Sequence, residues 1–545
     1  MRNTLFAAVA AACLLAGPTG AFSQTSEPDI SAERFRAHVA FLADDLLEGR
    51  ETGTRGHEIA ARYIATQFDL MGLKPGGESG GWLQSVGLAE IGVTGAAPTL
   101  VITAPSGAKT YENGGLAIIR GPITGGDADV TADTVFVGFG MTDKTLGIDD
   151  YKGLDAKGKV VVIMRGAPLS MESESGAHLV SEQARNAAAH GAVGVVYVRT
   201  LPAQKASSWK SQQATARSAR TTWVQKDGVP FDSAYGIRAT ATVDTEPGNL
   251  LFEGARQSLA EVLAQDTAKS RPKGFALKTK VTLKASTSVR KYTSPEVIGV
   301  IEGSDPKLKD EYVVLMGHAD HLGVRPNMPG DNIYNGALDN GAGIATLLEV
   351  AHAFTKGERP RRSLLIVANT AEEKGLLGAE YFAHYPTVPV DKIVAGIDLD
   401  MPMLMYDFTD VVAYGGDHST LGEAFRKAGA TMGVTVSPDP MPEQTIFVRS
   451  DHYALVKAGI PAVMLATGMQ NGGQAAWDSY FEKNYHQPSD DMKLPIRWAQ
   501  GARFAKINYL VARDLADADQ RVRWYAKDYF GDLFAEKAAK AEKPK

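Results

Sequence analysis

Cysteine is nearly missing from this chain. Its one thiol, Cys13, stands inside the opening stretch "MRNTLFAAVAAACLLAGPTGAFSQ". Arg2 supplies a short positive start, Leu5–Ala16 an apolar run, and Pro18 and Gly20 a break before the small-x-small pattern "AFS". This reads as a secretory leader over residues 1–23, cleaved near Ser23, so the protein is expected in the periplasm or outside the cell. Leu14 and Leu15 still follow the cysteine, which argues against a lipid-modified Cys13. Without the leader no thiol is left. Disulfides are then excluded, and any metal must be held by His, Asp and Glu. Long apolar segments are lacking too: the run at Leu5–Ala16 is shorter than the roughly 20 residues that span a bilayer, so no transmembrane segment is expected in the mature chain. A basic excess is also lacking. Lys and Arg number 57 against 63 Asp and Glu, for a net charge of −6, and the two signs are interspersed. That balance excludes a nucleic-acid footprint. The basic-rich tail "AEKAAKAEKPK", Ala535–Lys545, reads as a frayed helical end.

The chain does have the material for more than one globular core, with 545 residues that are 44% hydrophobic and 22% charged. Ser31–Leu73 carries two amphipathic helical patterns split by "EGRETGTRG". From Pro98 to Pro272 the texture changes to short β-rich runs such as "TVFVGFG" and "KVVVIMRG", with an Ala-rich helix, "SEQARNAAAHGA", leading into "VGVVYV". This segment has no cluster of His, Asp and Glu at ligand spacing and reads as an insertion. From Glu296 onward strands and helices alternate as in a doubly wound, mostly parallel α/β sheet. The expected division is 24–97 and 273–520 for the principal domain, 98–272 for the insert and 521–545 for a helical tail.

Ligands of such sheets bind at the carboxyl ends of the strands, and the polar residues gather there. His318 and Asp320 follow "EYVVLMGH", Glu372 and Glu373 follow "RSLLIVANT", and Asp398 and Asp400 end "KIVAGIDLD". Asp339 precedes a helix in the glycine-rich "YNGALDNGAG", and His486 lies in "EKNYHQPSDD". Zinc takes imidazole nitrogen and carboxylate oxygen, and two zincs about 3.5–4 Å apart need a shared carboxylate. Asp339 suits that bridge because its glycines permit close backbone approach; its other reading is a helix N-cap. Of the adjacent Glu372 and Glu373, one can hold metal while the other takes a proton from water. Asp320 is placed to accept from the second ring nitrogen of His318. His321 reads as structural. His38, His57, His178, His190, His352, His384 and His418 read as surface or core histidines.

The motifs "GHADHLG", "NGALDNGAG", "TAEEKGLLGAEYF", "DLDM", "RSDHYALVKAGIPAVML" and "NYHQPSDD" resemble, in order and spacing, those of the M28 zinc peptidases, the co-catalytic aminopeptidase group. The likeness covers about Ser31–Glu90 and Glu296–Asp517, and the intervening segment resembles a protease-associated (PA) domain. The resemblance implies a zinc-exopeptidase-like fold and two Zn2+ per chain. One zinc would be held by His318 and Asp400 and the other by Glu373 and His486, with Asp339 bridging, Glu372 as general base and Asp320 orienting His318. Asp400 is chosen over Asp398 because the family's ligand directly precedes the methionine of "DM". The resemblance also implies a cis peptide after Asp339. Phe447 departs from the pattern, standing where well-known members have a tyrosine that helps to stabilise the tetrahedral intermediate; Tyr453, Arg449 or a metal alone would then take that role. His452 is expected beneath the site. The implied activity is an exported aminopeptidase acting on peptides. A glutaminyl cyclase-like acyltransferase with one zinc and a non-catalytic receptor-like relative are the alternatives.

Overall fold

The computed structural model describes residues 27–544; the expected leader, with Cys13, lies outside them. Helix α1 (Ala32–Leu42) is capped by the Ser31 hydroxyl, which accepts from the Arg34 amide, and helix α2 (Arg55–Met71) by Thr54. α2 stops at Gly72, whose φ of 78° is left-handed. Strands β1 (Leu83–Val93), β2 (Thr99–Ala104), β3 (Gly126–Phe136) and β4 (Val160–Arg165) follow. Then come helix α3 (Ser173–Ser181) and strands β5 (Gly194–Arg199) and β6 (Arg220–Trp223).

Strand β7 (Phe275–Ile301) is 27 residues long and joins the two parts of the molecule. Its first half pairs with β2 and β3, and alternate residues Phe275, Val281, Leu283 and Ala285 enter the same apolar core as Leu100, Val130, Phe136 and Val162. Its last residues pair with the principal sheet. The insert's packing therefore runs to Ala285 rather than ending at Pro272.

The principal sheet is built from β7, β8 (Tyr312–His318), β9 (Ser363–Asn369), β10 (Ile393–Asp398), β11 (Asp410–Tyr414) and β12 (Ala462–Thr467), in the order β7-β9-β8-β10-β12-β11. The four central strands are parallel, and the outer two run antiparallel to their neighbours. All seven residues of β9 are buried, as expected for a strand covered on both faces. Helix α4 (Gly343–Lys356) packs with α1, α2 and α9 (Trp498–Asp517), α9 also packs with α1, and α5 (Leu377–His384) packs with α7 (His452–Lys457). Between these lie α6 (Leu421–Met432) and α8 (Gly473–Lys483).

The tail differs from the sequence expectation. Helix α10 is Tyr529–Phe534, with Phe530 buried, and Ala535–Pro544 continues without helix. An isolated bridge between Tyr525 and Ala541 ties this stretch down. The large aromatic residues Trp524, Tyr525 and Phe530 decide the packing here, so the Ala/Lys-rich run after them simply follows the surface.

Among the described residues no helix is long and apolar enough to cross a membrane.

Candidate active site

Register brings together the groups at the strand ends. His318 is opposite Asn369 across β8 and β9, and Met316 is opposite Asp398 across β8 and β10. His318, the Glu372–Glu373 turn and Asp400 therefore emerge at one edge of the sheet. Asp339 is delivered by the turn before α4. Gly336 there has a φ of 62°, and a Cβ on it would collide with the Asp339 carbonyl oxygen. Gly343 is equally closed, because a Cβ there would run into Asn340 Oδ1. The Asp339–Asn340 peptide is cis, as the resemblance implies. Asn340, not Asp339, serves the helix start: its Oδ1 accepts from the Gly343 and Met401 amides, and its Nδ2 donates to the Leu399 carbonyl. One side chain thus ties the Asp339 turn to the Asp400 loop.

Two groups of nitrogen and oxygen donor atoms result. His318 Nε2 lies 3.2 Å from Asp400 Oδ1 and 3.4 Å from Asp339 Oδ1. His486 Nε2 lies 3.3 Å from Asp339 Oδ2 and 3.4 Å from Glu373 Oε2. Asp339 is shared by both. Glu372 stands further out, with Oε2 3.9 Å from His318 Nε2, and lines the adjoining cleft. His321 is nearer than the sequence suggested, its Nδ1 2.7 Å from Glu373 Oε1. Neither ring nitrogen of His321 has a hydrogen-bond partner, nor has Glu373 Oε1.

The electrostatics favour a cation. Burial, reinforced by Asp339, pushes Glu373 up to about 8, and burial also holds Glu372 and Asp400 above the usual carboxylate range. Burial opposes protonation of His318, but Glu372 and Asp400 outweigh it and raise the imidazole. Four carboxylates crowded with three imidazoles, of which burial pushes His321 down to about 4, have too little positive charge to balance them. The atoms of His318, Asp339 and Asp400 lie within 4.8 Å of one another, as do those of His321, Asp339 and Glu373. Oxygen and nitrogen donors so spaced fit zinc.

The residues that support these donor groups are distinct from them. The Asp320 carboxylate accepts from the Thr52 hydroxyl at 2.8 Å and from the Glu372 and Glu373 amides at 3.2 and 3.4 Å. His318 Nδ1 is 3.2 Å from the main-chain oxygen of Asp320 and 3.9 Å from its carboxylate. Asp320 therefore orients the glutamate turn directly, and its carbonyl is the nearer partner of the ring. Asp398 is fully buried and accepts from the Ser450 hydroxyl and the His452 amide, and His452 Nδ1 lies 3.2 Å from it. Ser450 Oγ lies 2.8 Å from Asp400 Oδ2 as well, so its one proton is shared between the two carboxylates.

Sequence reasoning passed over Asp490. It accepts from the Leu338 and Asp339 amides and from the Tyr480 hydroxyl, each at 3.0 Å. The only sequence signal was its place in "QPSDD", four residues after His486. Buried Arg50 was passed over too; it donates to the Ala319 and Gly336 carbonyls and so joins the His318 and Asp339 turns.

A cleft of about 410 Å³ opens beside Glu372, Asp339, Asp400 and His486. Met401, Met441, Met464, Met469, Trp477 and Phe481 wall it, with Arg449 and Tyr485 as polar lining. Phe447 is buried and faces His418 and Phe530, away from this cleft. The Tyr453 hydroxyl pairs with His178 Nδ1 at 2.8 Å and is committed there.

Comparison with known proteins agrees with this arrangement. Residues 296–512 match the family model of Peptidase family M28, and residues 128–227 match the PA domain. The aminopeptidase from Aneurinibacillus sp. strain AM-1 superposes with a TM-score of 0.50 at 20% identity, covering 90% of this chain and 95% of that one, and shows the same fold. The "Probable lipoprotein aminopeptidase LpqL" of Mycobacterium tuberculosis is 26% identical over 258 residues, 43% of this chain and 49% of its own. The "Vacuolar membrane protease" of Yarrowia lipolytica is 52% identical over 52 residues, 9% of this chain and 5% of its own. The chain thus spans half or less of the length of either curated relative. Residues 296–512 are a peptidase family M28 domain, and residues 128–227 ahead of them are a PA domain.

Proposed function

We propose that the protein is a zinc-dependent exopeptidase, an aminopeptidase that removes N-terminal residues from peptides. The observation that carries this reading is the shared Asp339 between two nitrogen–oxygen donor groups, with the unshared Glu372 carboxylate turned to the apolar cleft. His318 and Asp400 would hold one zinc and Glu373 and His486 the other, with Asp339 common to both. His321 is placed to join the second group. Zinc, when bound, supplies Lewis acidity that polarises a peptide carbonyl and eases deprotonation of water.

The rest belongs to the chain. Glu372 takes a proton from the attacking water at its carboxylate and returns it to the departing amine. Asp320 fixes that glutamate by holding its backbone amide. The methionine-lined cleft accepts a large apolar side chain, because polarisable, unbranched walls adapt to such groups. Arg449 and Tyr485, which line the cleft, are the polar side chains offered to the developing oxyanion; Phe447 has no hydroxyl, and that of Tyr453 is bonded to His178. We assign residues 98–272, with the first half of β7, to the PA insert, and residues 1–23 to a leader that exports the protein.

The test is a panel of aminoacyl-anilides and of free and N-blocked peptides, assayed with and without chelator. Release of free N-terminal residues, abolished by chelator and restored by zinc, is expected. Cyclisation of N-terminal glutamine, or cleavage only at the C-terminus, would replace this reading.

A further inference from the structure

The wall of the cleft between Pro438 and Ser450 has no sheet or long helix to hold it. It consists of two single turns, Pro442–Gln444 and Ile446–Val448. Its outer face supplies Met441, Gln444, Ile446 and Arg449 to the cleft, while Phe447 points inward with 1% of its surface exposed. Helix α3 of the insert packs against both turns. Two of its side chains reach the principal domain. His178 Nδ1 pairs with the Tyr453 hydroxyl at 2.8 Å, and the His178 ring sits among Tyr529, Phe530 and Phe534 of α10. Glu174 Oε2 meets His418 Nε2 at 2.9 Å, and His418 Nδ1 meets Asp528 Oδ2 at 2.6 Å. The His418 ring in turn lies 4.7 Å from that of Phe447. Insert, tail and cleft wall therefore meet in one buried aromatic junction.

We infer that Glu174 and His178 are positioning residues for the substrate cleft, through which the PA segment sets the width of the pocket that takes the substrate's apolar side chain. A wall made of two isolated turns has few backbone bonds of its own, so its place depends on the side chains packed beneath it. Phe447 and Tyr453 are those side chains: Tyr453 is held directly by His178 of the insert, and Phe447 packs on His418, which Glu174 of the insert holds in turn. The inference rests on the proposed use of the cleft.

The test compares His178→Leu, His178→Asn and Glu174→Gln in the full-length zinc-loaded protein. His178→Asn keeps a polar atom near the Nδ1 position and is the conservative control. For His178→Leu, KM for a leucyl-anilide is expected to rise about tenfold, the scale of a disturbed apolar pocket contact, with kcat little changed and zinc content at the wild-type level. An alanyl-anilide, which barely reaches the wall, should be much less affected, and His178→Asn should recover most of the loss. Hydrogen–deuterium exchange reads the same junction without any activity: peptides covering 439–453 should exchange faster in His178→Leu while β8 stays protected. Glu174→Gln, on a half-buried side chain, should show the same pattern more weakly and carries the test if His178→Leu does not fold. Unchanged exchange over 439–453, or an equal fall in kcat on both anilides with KM constant, would overturn the inference. Failure of the wild type to cleave either anilide would instead contradict the aminopeptidase reading, and the exchange experiment would still decide this one.

Discussion

At the scale of single residues, the different roles proposed for the adjacent glutamates rest on what each faces. Glu373 lies between two imidazoles, whereas Glu372 borders the cleft. Glu372→Gln keeps size and most hydrogen bonding, so zinc content should stay at the wild-type level while turnover falls by about 10²–10⁴-fold, the range for a lost general base. Asp339→Ala should lose zinc together with activity, because one carboxylate serves both donor groups. Elemental analysis beside kinetics checks the pair, and loss of zinc from Glu372→Gln would exchange the two glutamate roles. Glu296 carries a different prediction. It is fully buried, neither carboxylate oxygen has a hydrogen-bond partner, and burial with the nearby Asp451 raises it well above the usual carboxylate range. The folded state thus holds a proton that the unfolded chain releases above its ordinary value, so this group costs stability as pH rises. Glu296→Gln should raise the melting temperature at pH 8 more than at pH 5; an equal change at both would contradict a protonated Glu296.

At the scale of elements, the Asp339 turn depends on a residue from the loop after α8. Asp490 accepts two of that turn's amides and is itself raised by burial to about 6. Asp490→Ala leaves those buried donors unpaired, at a cost of about 1–3 kcal/mol for each unsatisfied group, and should weaken zinc binding as well. Asp490→Asn should lose less, and a melting curve with a zinc titration separates them. The contrast between Asp339 and Asp490 shows what the sequence made legible. Parallel strands are nearly continuous apolar runs, so the first polar residue after each run falls at the site edge. His318 and, just beyond the run's end, Glu372 and Glu373 are legible that way, whereas Asp400 is told from Asp398 only by the resemblance. Asp490, Thr52 and Arg50 come from turns distant in sequence, and their roles exist only once the chain has closed around the site. His321 reads as one more polar turn residue until its ring is seen against Glu373. The long strand β7 escaped division because its first half alternates like a half-exposed strand, "FALKTKVTLKAS", while "VIGVI" reads as a buried one.

At the scale of the whole molecule, the insert and the principal domain share β7 and meet again at His418. Burial opposes charging of this histidine, but Asp528 and Glu174 outweigh it and raise it to about 9. A histidine raised on folding contributes stability that is complete below its unfolded value near 6.5 and is lost as pH rises through about 9. The melting temperature should accordingly fall between pH 6.5 and 9, and His418→Gln should flatten that part of the profile; an unchanged slope would remove the ion triad from the account. The central claim is that the strand ends assemble two zinc sites around one carboxylate. It is tested most directly by stripping the purified protein with chelator and titrating zinc back while metal content and aminoacyl-anilide hydrolysis are followed together. The account predicts saturation at two zinc ions per chain, with Asp339→Ala retaining neither at the same free zinc. Saturation at one per chain with full activity, or hydrolysis that survives complete removal of metal, would contradict it.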